Sequence, residues 1–183
     1  MSEGLVSCGV TSFLPTTLTA DATLLTEVAK TVSSCYQQTS GAKIAGIYFE
    51  GPFFTEEHKG AQNPSYFSAP SLAQFNVWQE AAQGLIKKIA LAPEHKEAQE
   101  FIQEVTASGV VVALGHSHAT YDEAKGAVDA GASVFVHTYN GMRGFNHREP
   151  GMVGAALSLK ETYAELICDG EHVHPVAVHV LKQ

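Results

Sequence analysis

The sequence predicts an α/β fold built on a parallel sheet, and three observations carry that expectation. Short apolar runs alternate with amphipathic helical stretches along the whole chain. The runs are continuous Val, Ile, Leu and Ala segments, the pattern of strands buried on both faces of a parallel sheet. Polar residues follow these runs at the same, C-terminal end: Glu50 after "GIYF", His116 after "VVALG", His137 after "SVFV", and Asp169 with His172 after "ELIC". Six strand–helix units can be counted, two short of a closed (β/α)8 barrel. The pattern therefore admits either an open doubly wound sheet or a piece of a barrel.

Taken in order, "EGLVSCGV" has the character of the end of a helix, and "VTSFLPT" is the first strand. In the next stretch Leu25, Val28, Ala29 and Val32 recur at helical spacing and form one core-facing stripe. "AKIAGIYFE" is the second strand, and a long loop from Gly51 to about Pro70 separates it from the helix "SLAQFNVWQEAAQ", which Gly84 ends. Phe75 and Trp78 on that helix are expected to pack it against the sheet. "LIKKIALAP" is the third strand, followed by a helix whose buried face is Ala98, Phe101, Ile102 and Val105 and whose stop is Gly109. "VVVALGH" is the fourth strand. Thr120 then caps a helix, with Glu123 placed to complete a capping box and Gly131 to end it. "ASVFVHT" and "YAELICDG" are the last two strands, separated by a loop with a short helix, and "HPVAVHVLKQ" begins a final helix. Cys168, just before Asp169, reads as a small core residue of a buried strand.

Composition narrows the function classes. The net charge is −8 and the eleven Lys and Arg are scattered, so the basic footprint of a nucleic-acid surface is missing. No apolar run approaches the length of a membrane span, and the N-terminus lacks the charged start and apolar core of a secretory signal. Three cysteines, an odd number with no C-x-x-C spacing, suggest neither a disulfide framework nor a cysteine zinc site. A reducing, cytoplasmic setting is the expectation.

Nine histidines are the one unusual total, five of them between residues 116 and 172. In "GHSHAT", His116 and His118 are two apart and would face the same side of an extended chain, where both could grip one ion. Either of them could equally cap the strand end and meet water. The strand-end residues Glu50, His116, His137, Asp169 and His172 can supply a set of one carboxylate and two imidazoles. Such a set suits a catalytic zinc, which takes three protein ligands and keeps a position for water, and it also accepts Fe(II). It points to metal-assisted hydrolysis. The loop "NGMRGFNHREPG" carries Arg148, whose planar fork suits a phosphate or carboxylate, the alternative being a solvated surface charge. The Gly51–Pro70 loop has the length of a substrate-binding loop. His58, His95 and His179 receive no role, and His174 is placed either beside the site or on the surface.

"YFEGPFF…HKGAQNP", "LAPE", "GHSHATYDEA", "HTYNGMRGFNHREPGMVGAAL" and "CDGEHVHP" resemble, in order, the motifs of N-acetylglucosamine-6-phosphate deacetylases of the amidohydrolase superfamily. The resemblance runs from about Gly9 to the end. It implies an incomplete (β/α)8 barrel over residues 1–183, holding strands two to seven and lacking the first and eighth strands and the small β-sandwich. It implies Glu50, His116 and His137 as ligands of a divalent metal, zinc first and iron second. Substrate contacts are implied at Ala61, Gln62, Asn140, Gly141 and Arg148, the last on the phosphate, and along the turn Asp169, Gly170, Glu171 and His172. His172 would help to polarise the acetamide carbonyl. The reaction implied is hydrolysis of N-acetylglucosamine 6-phosphate to glucosamine 6-phosphate and acetate.

The family's catalytic Asp ends its eighth strand, beyond Gln183, so weak or absent activity is expected of this chain alone. Gln62 stands where some relatives carry His. Of the two histidines in "GHSHAT", the resemblance keeps His116 as the ligand and leaves His118 outside. Two rival readings remain. One is an amidohydrolase acting on another amide, such as a different N-acetyl sugar. The other is a non-catalytic fragment that folds, forms a homo-oligomer, and binds metal or sugar phosphate without chemistry.

Overall fold

The computed structural model describes residues 1–183. The elements are α1 (Ser2–Ser7), β1 (Ser12–Phe13), β2 (Thr16–Thr17), α2 (Ala22–Cys35), β3 (Lys43–Ile44), β4 (Ile47–Glu50), α3 (Leu72–Ala81), β5 (Ile86–Leu91), α4 (Ala98–Ala107), β6 (Val111–Leu114), α5 (Tyr121–Asp129), β7 (Val134–Phe135), α6 (Gly151–Ser158), β8 (Tyr163–Ala164) and α7 (Pro175–Leu181). Six strands form one sheet in the order β2-β4-β5-β6-β7-β8, every neighbouring pair parallel. Strand order follows chain order, so all six C-terminal ends lie on one rim.

The first two predicted strands are each broken in two. β1 pairs with β3 and β2 with β4, with Phe13 opposite Ile44 and Thr16 opposite Tyr48. Between those pairs one chain advances three residues and its partner four, and the extra residue bends the ribbon as a bulge does. Pro15 sits at the break, where it has no N–H to give to a ladder, although its carbonyl accepts from Tyr48 N at 3.0 Å.

The helices form where the spacing placed them, and the structure adds caps at α2 and α3 to the one legible in the sequence at α5. Asp21 accepts from the amides of Thr23 and Leu24 at the start of α2, and Ser71 from Gln74 N at the start of α3. Thr120 and Glu123 make the reciprocal capping box of α5. All four residues predicted for the buried face of α4 are buried. Phe49, Phe53, Phe75, Trp78 and Phe101 meet in an aromatic cluster with ring centroids 5.2 to 5.8 Å apart, which locks α3 and α4 onto the sheet. Trp78 Nε1 also donates to Ala22 O, tying α3 to α2.

The last strand departs from expectation. Nothing pairs with the outer side of β8, whose two residues are exposed, Tyr163 by 75%. Cys168 is exposed as well, so its reading as a core residue is wrong. Its segment is apolar, but it lies beside a sheet edge where no further element covers it. No helix is long and apolar enough to cross a membrane.

Candidate functional site

The rim of the sheet gathers three of the predicted residues. Glu50 is the last residue of β4, His116 follows β6 after Gly115, and His137 lies just beyond β7. Parallel neighbours in register bring these ends together (Glu50↔Ala90, Leu91↔Leu114, Leu114↔Phe135). Nε2 of His116 lies 3.1 Å from Glu50 Oε1, Nε2 of His137 lies 3.3 Å from the same oxygen, and the two Nε2 atoms are 3.1 Å apart. The side chains are 17%, 8% and 18% exposed for Glu50, His116 and His137, a largely dry setting with one open side.

The far nitrogens fix the rings. Nδ1 of His116 lies 3.0 Å from His58 O and Nδ1 of His137 2.9 Å from Asn140 O. A carbonyl only accepts, so both Nδ1 atoms carry the proton, and in the neutral rings both Nε2 atoms present lone pairs. Two imidazole lone pairs and a carboxylate oxygen thus converge on one point, within 4.8 Å of one another. Four-coordinate zinc with bonds of about 2.0 to 2.1 Å has ligand–ligand edges of roughly 3.3 Å. The donor set and its spacing therefore fit a divalent metal ion.

The local electrostatics favour a cation there. Burial by itself would raise the Glu50 carboxyl, but with a proton in place of a metal ion at Nε2 the hydrogen bonds and charge of His116 and His137 hold it at about 2. Burial disfavours a charged His137 ring, yet Glu50 and the Asn140 carbonyl outweigh it and raise its pKa. A carboxylate that stays ionised between two rings is a seat for positive charge.

Backbone conformation aims the rings. His116 and His137 have φ of +46° and +35°, the left-handed region that non-glycine residues enter only where the surroundings hold them. Gly115 permits the approach of Val136, just beyond β7, since a Cβ there would fall 2.3 Å from Val136 Cγ2. Beside Glu50 and His137 lies a cavity of about 210 Å³ lined by these two with Tyr48, Val136, Glu165, Leu166 and Ile167. Glu165, one of its lining residues and itself half exposed, pairs with the buried Lys88, whose Nζ lies 4.3 Å from the Tyr48 ring centre. Burial, then the charges of Glu50 and Glu165, push the Tyr48 phenol well above its ordinary range.

The remaining predicted residues divide. Asn140 Nδ2 is buried without a partner beside His137, an amide donor waiting for an acceptor. Gln62 is buried, with its Oε1 accepting from Thr19 N at 2.8 Å, which braces the long loop against the chain after β2. Ala61 is exposed and Gly141 half-buried, a Cβ on the latter lying 3.1 Å from His116 Nδ1. Arg148 is exposed, and its Nε donates to His147 Nε2. Its loop is anchored by Glu149, whose Oε1 accepts from Tyr121 N and Gly151 N. Asp169 and His172 are bonded to each other, Nδ1 to Oδ2 at 2.6 Å, and not to the converged three. Gly170 and Glu171 complete that exposed turn.

His118 stays out of the set. Its Nδ1 lies 2.9 Å from His58 Nε2 and 3.3 Å from Glu57 Oε1, on the outer side of the turn. Two contributors escaped sequence reasoning. His58 was given no role, yet its carbonyl fixes the His116 ring, and a backbone contribution leaves no trace in residue type. Glu94, in "LAPE", is the other. Its signal was available: a carboxylate just past the end of a buried strand, on the same rim as the others.

No family model matches the chain. It is 42% identical over 181 residues to the N-acetylglucosamine-6-phosphate deacetylase of Vibrio furnissii, covering 98% of this chain and 45% of that protein. It is 44% identical over 171 residues to the N-acetylgalactosamine-6-phosphate deacetylase of Escherichia coli O157:H7, covering 93% and 45%. A solved structure of a mutant N-acetyl-D-glucosamine-6-phosphate deacetylase from Mycobacterium smegmatis, in complex with N-acetyl-D-glucosamine-6-phosphate, superposes with a TM-score of 0.89 at 31% identity, covering 94% of this chain and 45% of that one. The chain thus spans rather less than half the length of the relatives it matches.

Proposed function

We propose that this chain, a homologue of the N-acetylglucosamine-6-phosphate deacetylases over nearly all of its length, carries the metal- and substrate-binding part of such an enzyme. The observation that carries the reading is the convergence of Glu50, His116 and His137 lone pairs at the rim of a parallel sheet, where α/β folds assemble their sites. Six parallel strands in chain order support strands two to seven of a (β/α)8 barrel as the architecture of this part.

Glu50, His116 and His137 would hold the divalent ion, zinc being the first expectation for one carboxylate and two imidazoles, iron the second. When bound, the ion supplies Lewis acidity, acidifying a water and polarising an amide carbonyl. The chain's own groups do the rest. The His58 and Asn140 carbonyls keep both rings in the tautomer that offers Nε2. Asn140 Nδ2 offers a hydrogen bond to a sugar or acetamide oxygen, and Gly141 leaves room for that oxygen beside the rings. Arg148, exposed on an anchored loop, would take the 6-phosphate, with Ala61 and Gln62 on the long loop opposite. The turn Asp169, Gly170, Glu171 and His172 would close over the acetamide, with Asp169 aligning the His172 ring towards the carbonyl.

Glu50, His116 and His137 would be committed to the ion and Asp169 to the His172 ring, and with proton transfer left to no dedicated carboxylate among them we expect the 183-residue polypeptide alone to turn over weakly. General acid–base help is commonly worth about 10² to 10⁴ in rate. The exposed thiols of Cys8, Cys35 and Cys168 fit a reducing, cytoplasmic setting.

A second reading concerns the sugar. One relative at 44% identity acts, by name, on the galactosamine epimer, so the substrate class we commit to is an N-acetylhexosamine 6-phosphate. Titrating the chain, loaded with zinc, against both epimers and against unphosphorylated N-acetylglucosamine tests this. Binding of either phosphorylated sugar over the plain one supports the proposal, and equal binding of all three refutes it.

A further inference from the structure

We infer that Glu94 is a positioning residue for His116, an inference that rests on the metal reading above. Glu94 follows β5 on the same rim as the converged three but touches none of them. Its Oε1 accepts from Thr55 Oγ1 at 2.5 Å and from the His118 amide at 2.9 Å, and its Oε2 accepts from Ser117 Oγ at 2.6 Å. Ser117 and His118 are the two residues after His116. Thr55 lies in the loop after β4, its amide 3.4 Å from His116 O. One carboxyl group therefore holds both sides of the turn that carries the ligand.

The turn needs holding. His116 sits at φ +46°, and a residue with a Cβ relaxes out of that region unless its neighbours are pinned. Ser117 Oγ passes the restraint on by accepting from Ala119 N at 3.0 Å, and the Ser117 amide is fixed by Gly141 O at 3.1 Å. The His58 carbonyl and the Phe54 ring, 4.6 Å away centroid to centroid, set the orientation of the imidazole. Those contacts act on the ring, whereas Glu94 acts on the backbone beneath it. Without Glu94, two hydroxyls and an amide lose their acceptor together, and Nε2 of His116 is released from its 3.1 Å approach to His137 Nε2 and Glu50.

The test uses the full 183-residue chain and zinc ion alone, read by chelator competition, beside the thermal midpoint of the metal-free protein. Glu94→Gln keeps the shape but replaces one acceptor oxygen with a donor. The expected result is a folded protein whose zinc affinity falls about 10- to 100-fold, the scale on which partners behind a ligand act. A role confined to stability would lower the midpoint and leave the affinity of the folded protein alone. Folded Glu94→Gln that binds zinc within about twofold of the parent overturns the inference. If that variant does not fold, Ser117→Ala removes one of the three donors and is expected to weaken zinc several-fold, and no change overturns the inference.

A parent chain that binds no zinc would sink the metal reading instead. The decision then passes to nuclear magnetic resonance of the metal-free protein. There the Nδ1–H form of the His116 ring and the slow exchange of the His118 amide are expected in the parent and lost in Glu94→Gln. Their persistence in the variant overturns the positioning role.

Discussion

Nε2 of His116 and Nε2 of His137 face each other at 3.1 Å while both Nδ1 protons are committed to backbone carbonyls. Neutral rings so arranged present lone pair to lone pair, with the Glu50 carboxylate beside them. That arrangement is relieved only by positive charge between them.

Metal should therefore stabilise the fold. Zinc at 100 times its dissociation constant is expected to add about 2.7 kcal/mol through mass action, and chelation to remove it, as read by thermal unfolding. His116→Ala and His137→Ala should each abolish the zinc-dependent shift. His118→Ala should weaken zinc by less than about 10-fold, because its ring contacts only His58 and Glu57. Equal losses from His116→Ala and His118→Ala would restore the His-x-His pair as the ligand set.

Arg148 is the cation expected on the phosphate. Arg148→Ala should lower affinity for the phosphorylated sugar by roughly 10-fold or more, since hydrogen bonds to charged groups contribute about 1.5 to 3 kcal/mol. Affinity for the unphosphorylated sugar should not change. Calorimetric titration of both ligands decides, and an unchanged affinity for the phosphorylated sugar rules out Arg148 as its anchor.

The Asp169–His172 turn carries a pH signature. The backbone amides of His172 and Glu171, and then the His172 ring, hold the Asp169 carboxyl at about 2, below the usual carboxylate value. A folded pKa depressed below the unfolded one means the closed turn is favoured above about pH 4 and loses that support as pH falls through about 2. Carbon chemical shifts of the Asp169 carboxyl should thus titrate near 2, with the Glu171 and His172 amides following. A midpoint near 4 would show the turn to be open in solution.

The aromatic cluster anchors the helices that back the site. Trp78 is the only tryptophan and is 1% exposed, so Trp78→Ala is expected to cost about 3 to 5 kcal/mol in denaturant unfolding. Phe75→Ala belongs to the same cluster and should not add fully to it. A cost under about 1 kcal/mol would mean that α3 is not held by this packing.

The sequence by itself determined the repeating strand–helix order, the cap of α5, the buried face of α4, and the placing of Glu50, His116 and His137 at strand ends. These are local: spacing, capping chemistry and apolar runs act over a few residues. Tertiary structure decided what depends on partners distant in the chain. The bulge that splits the first strands comes from register against a neighbour. The exposure of Cys168 comes from lying beside an edge, although its segment is as apolar as a buried one. "GHSHAT" offered two histidines with equal claims. The left-handed turn at His116 sends one ring inward to Glu50 and the other outward to His58, a choice made by the contacts of Glu94, His58 and Gly141 rather than by spacing. Periodicity predicts the side a residue faces only while the strand lasts, and β6 ends at Leu114, one residue before the turn begins.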